Sequence, residues 1–147
     1  MLVVRFATVL FATVALLGCN AEFVDVSETP EHRQTIGEIC RVQSSINAHG
    51  VTLNLERNKR TDLVALTSFG VSGPEITFVT RLLAGTTLEI VAVQKCKNCP
   101  FDDRIEYRVR LQPMPKEFGD TPVYLNLERV TPEAIACKTL QGRWSAK

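Results

Sequence analysis

Ile105-Glu106-Tyr107-Arg108-Val109-Arg110-Leu111-Gln112 alternates apolar and polar side chains without a break. Successive side chains of an extended strand point to opposite faces, so this period of two puts Ile105, Tyr107, Val109 and Leu111 on one surface and the charged residues on the other. That is the pattern of a half-buried strand, and it recurs on both sides of this stretch. Val123, Leu125 and Leu127 alternate with Tyr124, Asn126 and Glu128, and Val51, Leu53 and Leu55 alternate with Thr52, Asn54 and Glu56. Weaker strand candidates run over 36–44, 62–68 and 75–83, while 88–93, apolar apart from Glu89, reads as a central strand covered on both faces.

Turn formers separate these segments: His49-Gly50, Asn58-Lys59-Arg60, Gly70 to Pro74, Ala84-Gly85, Pro100 to Asp103 and Pro113 to Pro122. A strand roughly every ten residues predicts a mainly β fold, a small antiparallel β-sandwich or barrel of about seven strands. One short C-terminal helix is expected, with Thr131 as cap, Pro132 in the first turn, Glu133 against the dipole and Gly142 as the stop. The string Leu-Asn-Leu-Glu-Arg occurs at 53–57 and at 125–129, but its flanks do not align, so it reads as two similar amphipathic strands rather than a duplication.

The 147 residues, 45% hydrophobic and 22% charged, suit one ordinary globular domain and exclude a collagen-like or strongly disordered chain. Basic and acidic side chains nearly balance, at seventeen against sixteen, which gives no bulk attraction to nucleic acid.

The N-terminus departs from this pattern. Arg5 is followed by an apolar run from Phe6 to Leu17, interrupted only by Thr8 and Thr13, and the run stops at Gly18-Cys19-Asn20. A membrane-spanning helix needs about 20 apolar residues, so this run is too short to span and reads as a signal peptide. Leu16-Leu17-Gly18-Cys19 resembles the lipobox of bacterial prolipoproteins, with a branched apolar residue and a small residue before the cysteine. The resemblance covers only the first twenty residues. It implies that residues 1–18 are removed, that Cys19 carries diacylglycerol and an acylated amino group, and that the chain is anchored permanently to a membrane. Asn20 after the cysteine, where an aspartate would favour retention at the inner membrane, implies sorting to the outer membrane, facing the periplasm. Loss of Arg5 with the leader leaves sixteen basic against sixteen acidic side chains. Residues 19–35, acidic and polar with Pro30, read as the lipidated N-terminus and a flexible tether reaching on the order of 50 Å, and 36–147 as a single β-rich periplasmic domain.

Four further cysteines, Cys40, Cys96, Cys99 and Cys137, form an even set in what the resemblance makes an oxidising compartment, which points to two disulfides. Of the three possible pairings the favoured one joins Cys96 to Cys99, separated by only Lys97-Asn98, and Cys40 to Cys137. Cys96-Lys97-Asn98-Cys99 also has the spacing of a thiol-disulfide redox pair, but Pro100 and a strand follow where such pairs open a helix, and Asp102 and Asp103 would oppose a thiolate. A four-cysteine zinc site finds the usual spacing in one half only.

Only two histidines are present, His32 in the tether and His49 beside Gly50, and both read as surface positions. No nucleophile elbow, phosphate-binding loop, zincin helix or calcium loop occurs. The chain therefore reads as a non-enzyme without cofactor or metal. Its most suggestive surface feature is basic. Lys95 and Lys97 end one strand, Arg104 begins the next, and Arg108 and Arg110 share that strand's polar face, a grouping that suits an acidic protein surface or lipid phosphates. The expectation is a lipid-anchored binding module recognising an envelope protein, as an assembly factor or accessory subunit. An inhibitor or immunity lipoprotein directed at a lytic or toxic enzyme is the second reading, and a thiol-disulfide protein using Cys96 and Cys99 the third.

Overall fold

The computed structural model describes residues 21–55, 60–99 and 104–144. Nine strands run through them: β1 (Phe23–Asp25), β2 (Ile39–Val42), β3 (Ile46–Val51), β4 (Leu63–Thr67), β5 (Ile76–Leu82), β6 (Thr87–Cys96), β7 (Ile105–Gln112), β8 (Val123–Leu125) and β9 (Ile135–Ala136). One short helix, α1 (Lys138–Trp144), follows near the C-terminus. It is far too short to cross a membrane, and no other helix among the described residues is long and apolar enough to do so.

The strands form one sheet in the order β5-β3-β4-β8-β7-β6-β2-β9, whose two ends do not pair, so the sheet is not closed into a barrel. The mainly β class and the short C-terminal helix are as the sequence predicts. The two strands beyond the expected seven include β1 and β9, of three and two residues, too short for a period of two to register. All pairings are antiparallel except β4 with β8, where Val64, Ala65 and Leu66 run parallel to Val123, Tyr124 and Leu125. Inward side chains of β3, β4, β6, β7 and β8 belong to one buried cluster, with Ala48, Val64, Leu88, Ile90 and Leu125 fully inaccessible. A single seven-residue helix cannot cover so wide an apolar face, so the sheet is bent over its own core as a sandwich is.

β6 organises the molecule. One of its edges pairs with β7 along nearly its whole length, and the other pairs with β2 at Thr87–Glu89 and with β1 at Gln94–Cys96. A bulge between Ile90 and Ala92 adds one residue, so Leu88, Ile90 and Val93 all face the core while Glu89, Val91 and Ala92 stay partly exposed. The unbroken apolar stretch from Ile90 to Val93 thus arises from the bulge, and not from burial on both faces.

Three local expectations are overturned. The strand read over 51–55 ends at Val51, and Leu53 and Leu55 are 75% and 62% exposed. Asp62 Oδ2 accepts the Leu53 N–H at 2.7 Å and Thr52 Oγ1 accepts the Asn54 N–H at 3.3 Å, so side chains take the backbone bonds that a ladder would need. The strand lies upstream instead, and takes in His49 and Gly50, for which the sequence predicts a turn. The helix expected from Thr131 is a 3₁₀ turn (Pro132–Ala134), followed by β9 pinned beside β2 and only then by α1, inside which Gly142 lies.

The segment read as a tether is folded. β1 adds to β6, the Val26 N–H donates to the Val93 carbonyl at 2.9 Å, and His32 and Thr35 are buried. Backbone pairing to an existing strand needs little apolar side-chain surface, so polar composition did not reveal it.

Candidate functional site

The outer face of the β6–β7–β8 wing is set by register. Glu89 lies opposite Arg110, Ala92 opposite Arg108 and Gln94 opposite Glu106, and on the far side of β7 Tyr124 lies opposite Arg108. Arg110 Nη1 donates to Glu89 Oε2 at 3.0 Å, and Gln94 Nε2 donates to Glu106 Oε2 at 3.2 Å. Arg108 meets only a methyl group across the β6 edge, and it has no hydrogen-bond or ion-pair partner among the described residues.

Beside Arg108 the chain from β7 to β8 rises off the sheet and leaves a groove of about 440 Å³ lined by Ala92, Arg108, Arg110, Met114, Asp120 and Pro122 among others. The wall holds its place because Phe118 of its 3₁₀ turn (Lys116–Phe118) is buried and stacks on Phe78 of β5 at 5.5 Å. The groove therefore brings together the exposed Arg108 guanidinium, the Asp120 carboxylate and the 41% exposed Met114.

The five basic residues expected to cluster do not form one patch. Arg108 and Arg110 line the groove. Lys95 pairs with Ile105, whose side follows the core-facing phase of Tyr107, so it points away from Arg108. Lys97 and Arg104 stand at the end of the hairpin, where the Lys97 ammonium meets Glu22 Oε1 at 3.7 Å and the Arg104 carbonyl accepts the Cys96 N–H at 2.9 Å.

Cys40 pairs with Cys137 and Cys96 with Cys99, with Cα–Cα distances of 4.6 and 5.7 Å that suit disulfides. These are the pairings favoured from the sequence. Cys96 closes a strand and is itself buried, a setting without the helix N-terminus that stabilises a thiolate in redox pairs. Among the described residues no three His, Cys, Asp or Glu side chains converge as a metal would require. Cys19 lies outside the described residues, as do Asp102 and Asp103.

Both histidines correct the expectation of surface positions: His32 is 3% and His49 is 1% exposed. Arg143 of α1 donates to His32 Nδ1 at 2.9 Å and to the Tyr107 hydroxyl at 3.4 Å, and it reaches the Glu31 carbonyl oxygen as well. A guanidinium only donates, so Nδ1 accepts and the proton of the neutral ring rests on Nε2, which faces Glu31 Oε1 at 3.9 Å. Burial, and after it the Arg143 charge, holds the His32 pKa below its ordinary value, with Lys95 acting in the same sense and Glu31 against it. Thr139 adds a second tie by donating its backbone N–H to Glu38 Oε1 at 2.8 Å. No sequence signal announces a contact between residues 32 and 143.

His49 lies on the outer face of β3. Thr67 Oγ1 donates to the Phe69 carbonyl, so its lone pair accepts from His49 Nε2 at 3.1 Å, and His49 Nδ1 has no partner among the described residues.

Comparison with known protein families, with characterised proteins and with solved structures finds no match for this chain.

Proposed function

We propose that this chain is a lipid-anchored binding protein of the bacterial envelope, attached through Cys19 at the periplasmic face of the outer membrane, whose β domain recognises an acidic segment of a partner protein. The lipobox-like Leu16-Leu17-Gly18-Cys19 supports the anchor, and the groove beside Arg108 supports the recognition. The observation that carries the second part is the exposed Arg108 guanidinium, which lines the groove beside a wall fixed by Phe118 and has no hydrogen-bond or ion-pair partner among the described residues. An exposed cation left uncompensated beside a concave surface gains most when a partner's carboxylate arrives and water leaves.

The test is capture from solubilised envelopes with the intact protein and with Arg108→Glu. A specific partner retained by the first and lost from the second is expected. Capture that ignores the charge reversal, or the absence of any specific partner, refutes recognition through this groove.

A further inference from the structure

Resting on that anchor, we propose that the end of the domain formed by Glu22, Lys97 and Asn98 lies against the lipid headgroups, so that the domain is held at the bilayer surface in one orientation instead of standing clear on a tether. Glu22 is fixed on three sides. Its N–H donates to Asn98 Oδ1 at 2.6 Å, its carbonyl accepts the Lys97 N–H at 2.8 Å, and its carboxylate meets the Lys97 ammonium at 3.7 Å. Directly after it β1 pairs Phe23, Val24 and Asp25 with Cys96, Lys95 and Gln94, and Ser27 Oγ then accepts the Val93 N–H at 2.8 Å. The Cys96–Cys99 bridge spans Lys97 and Asn98, so it secures the two residues that grip Glu22.

Only three residue steps separate Cys19 from Glu22, a reach of at most about 11 Å fully extended, against about 50 Å for a free segment running to Thr35. The polar interfacial layer of a bilayer is itself about 5–8 Å thick on each side. A lipid on Cys19 therefore leaves the hairpin end no room to rise more than roughly one side-chain length above that layer. Lys97 and Glu22, 62% and 58% exposed, are then the side chains that meet the headgroups.

The groove inherits a height from the same geometry. β7 climbs from Arg104 to Arg108 in four residues, about 14 Å at the rise of a strand. The Arg108 guanidinium thus stands within about 25 Å of the membrane, and the acidic segment it receives belongs to a membrane-proximal part of the partner.

The test uses the full-length protein purified from its own membrane, its lipidation read by intact mass, with a fluorescent amino acid in place of Lys97 or, separately, of Gln112 at the far end of β7. Each is reconstituted into phosphatidylethanolamine–phosphatidylglycerol vesicles carrying a headgroup-attached nitroxide quencher. Quenching several-fold stronger at position 97 than at 112, and equalised by a ten-residue Gly/Ser insertion between Asn20 and Ala21, is the expected result. A lipidated protein quenched equally at both positions overturns the fixed orientation and leaves the anchor standing. Quenching at 97 that survives the insertion also overturns it, because the short linkage is then not the cause. A mass without lipid removes the anchor and this inference together.

Discussion

Gly50→Ala separates the close packing of this fold from simple strand propensity. Gly50 lies in β3 opposite Phe78 of β5, and a Cβ there would come within 2.5 Å of both Phe78 Cδ1 and Thr77 Oγ1, and nearer still to Phe78 Cε1. Neither obstacle is free to move. The Phe78 ring stacks on the buried Phe118, and Thr77 Oγ1 shares a hydrogen bond of 2.6 Å with Thr61 Oγ1. Forcing one extra carbon into such a site costs about 1–3 kcal/mol, from which the gain of alanine over glycine in a strand, about 0.5–1 kcal/mol, must be subtracted. A net loss of about 1–2 kcal/mol with a urea dependence of roughly 1.5 kcal/mol per molar lowers the denaturation midpoint by about 1 M under non-reducing conditions. The cause is checked by repeating the substitution in a Phe78→Leu background, where the smaller side chain relieves the clash and the cost falls by at least about 0.5 kcal/mol. An unchanged or raised midpoint for Gly50→Ala, or strict additivity in the double variant, refutes the argument.

Acid titration tests the clasp around His32. Its folded pKa is depressed, so the unfolded chain binds the proton first as pH falls through the ordinary histidine value of about 6.5; the stability contributed by neutral His32 is present above that value and declines below it. Urea midpoints falling between pH 7 and pH 5 in the parent, with a shallower fall in His32→Gln, are expected, and parallel curves would exclude His32 as the source. Replacing Cys40 and Cys137 together by serine opens a connection spanning 97 positions, for which loop entropy assigns about 4.7 kcal/mol; the same change at Cys96 and Cys99 opens a span of 3 and is assigned about 2 kcal/mol. Reversal of that order in equilibrium denaturation would show that strain or denatured-state structure outweighs closure. Arg108→Glu, on an exposed strand position, should leave the midpoint within about 0.5 kcal/mol of the parent while abolishing partner capture, so a large stability change would disqualify it as a binding probe.

The legible parts of the sequence are those where one physical effect acts alone. β7 occupies the stretch over which Ile105 to Gln112 alternate, because its inward Tyr107, Val109 and Leu111 are buried and its outward Arg108 and Arg110 are not. The same alternation misled at Leu53 and Leu55, where Asp62, nine residues downstream of Leu53, captures the backbone. The two copies of Leu-Asn-Leu-Glu-Arg make the contrast plain: Leu125 is fully buried between β4 and β7, while its counterpart Leu53 is three-quarters exposed. Five residues of pattern do not decide a strand; the neighbouring strand does. The basic grouping failed for a related reason. Sequence proximity placed Lys95 beside Arg108, and the pleat puts them on opposite faces, because Lys95 pairs with Ile105, three positions from Arg108. The groove wall at 113–122 and the His32–Arg143 contact arise from long-range packing, with no local signature to read.

The folded N-terminal segment changes what an anchor would accomplish. A flexible tether would let the domain rotate freely, and a groove at Arg108 would meet its partner in any attitude. Here β1 and β7 are neighbours of the same strand, on opposite edges of β6, and the path from Glu22 to Arg108 runs through backbone hydrogen bonds and the continuous chain of β6. The clasp of His32 and Glu38 on α1, with the Cys40–Cys137 bridge, fixes the next part of the chain to the other end of the sheet. A load or constraint applied at Glu22 would reach the groove through the β1–β6–β7 ladders. With the proposed anchor, one face presented at one height would spare a membrane-bound partner much of the rotational search that association otherwise costs, and would raise the effective concentration of the groove in that layer. Affinity for a membrane-embedded partner should therefore exceed affinity for the same acidic segment free in solution. A Gly/Ser insertion after Asn20 that leaves the solution affinity unchanged while weakening the membrane-bound one would trace the difference to β1.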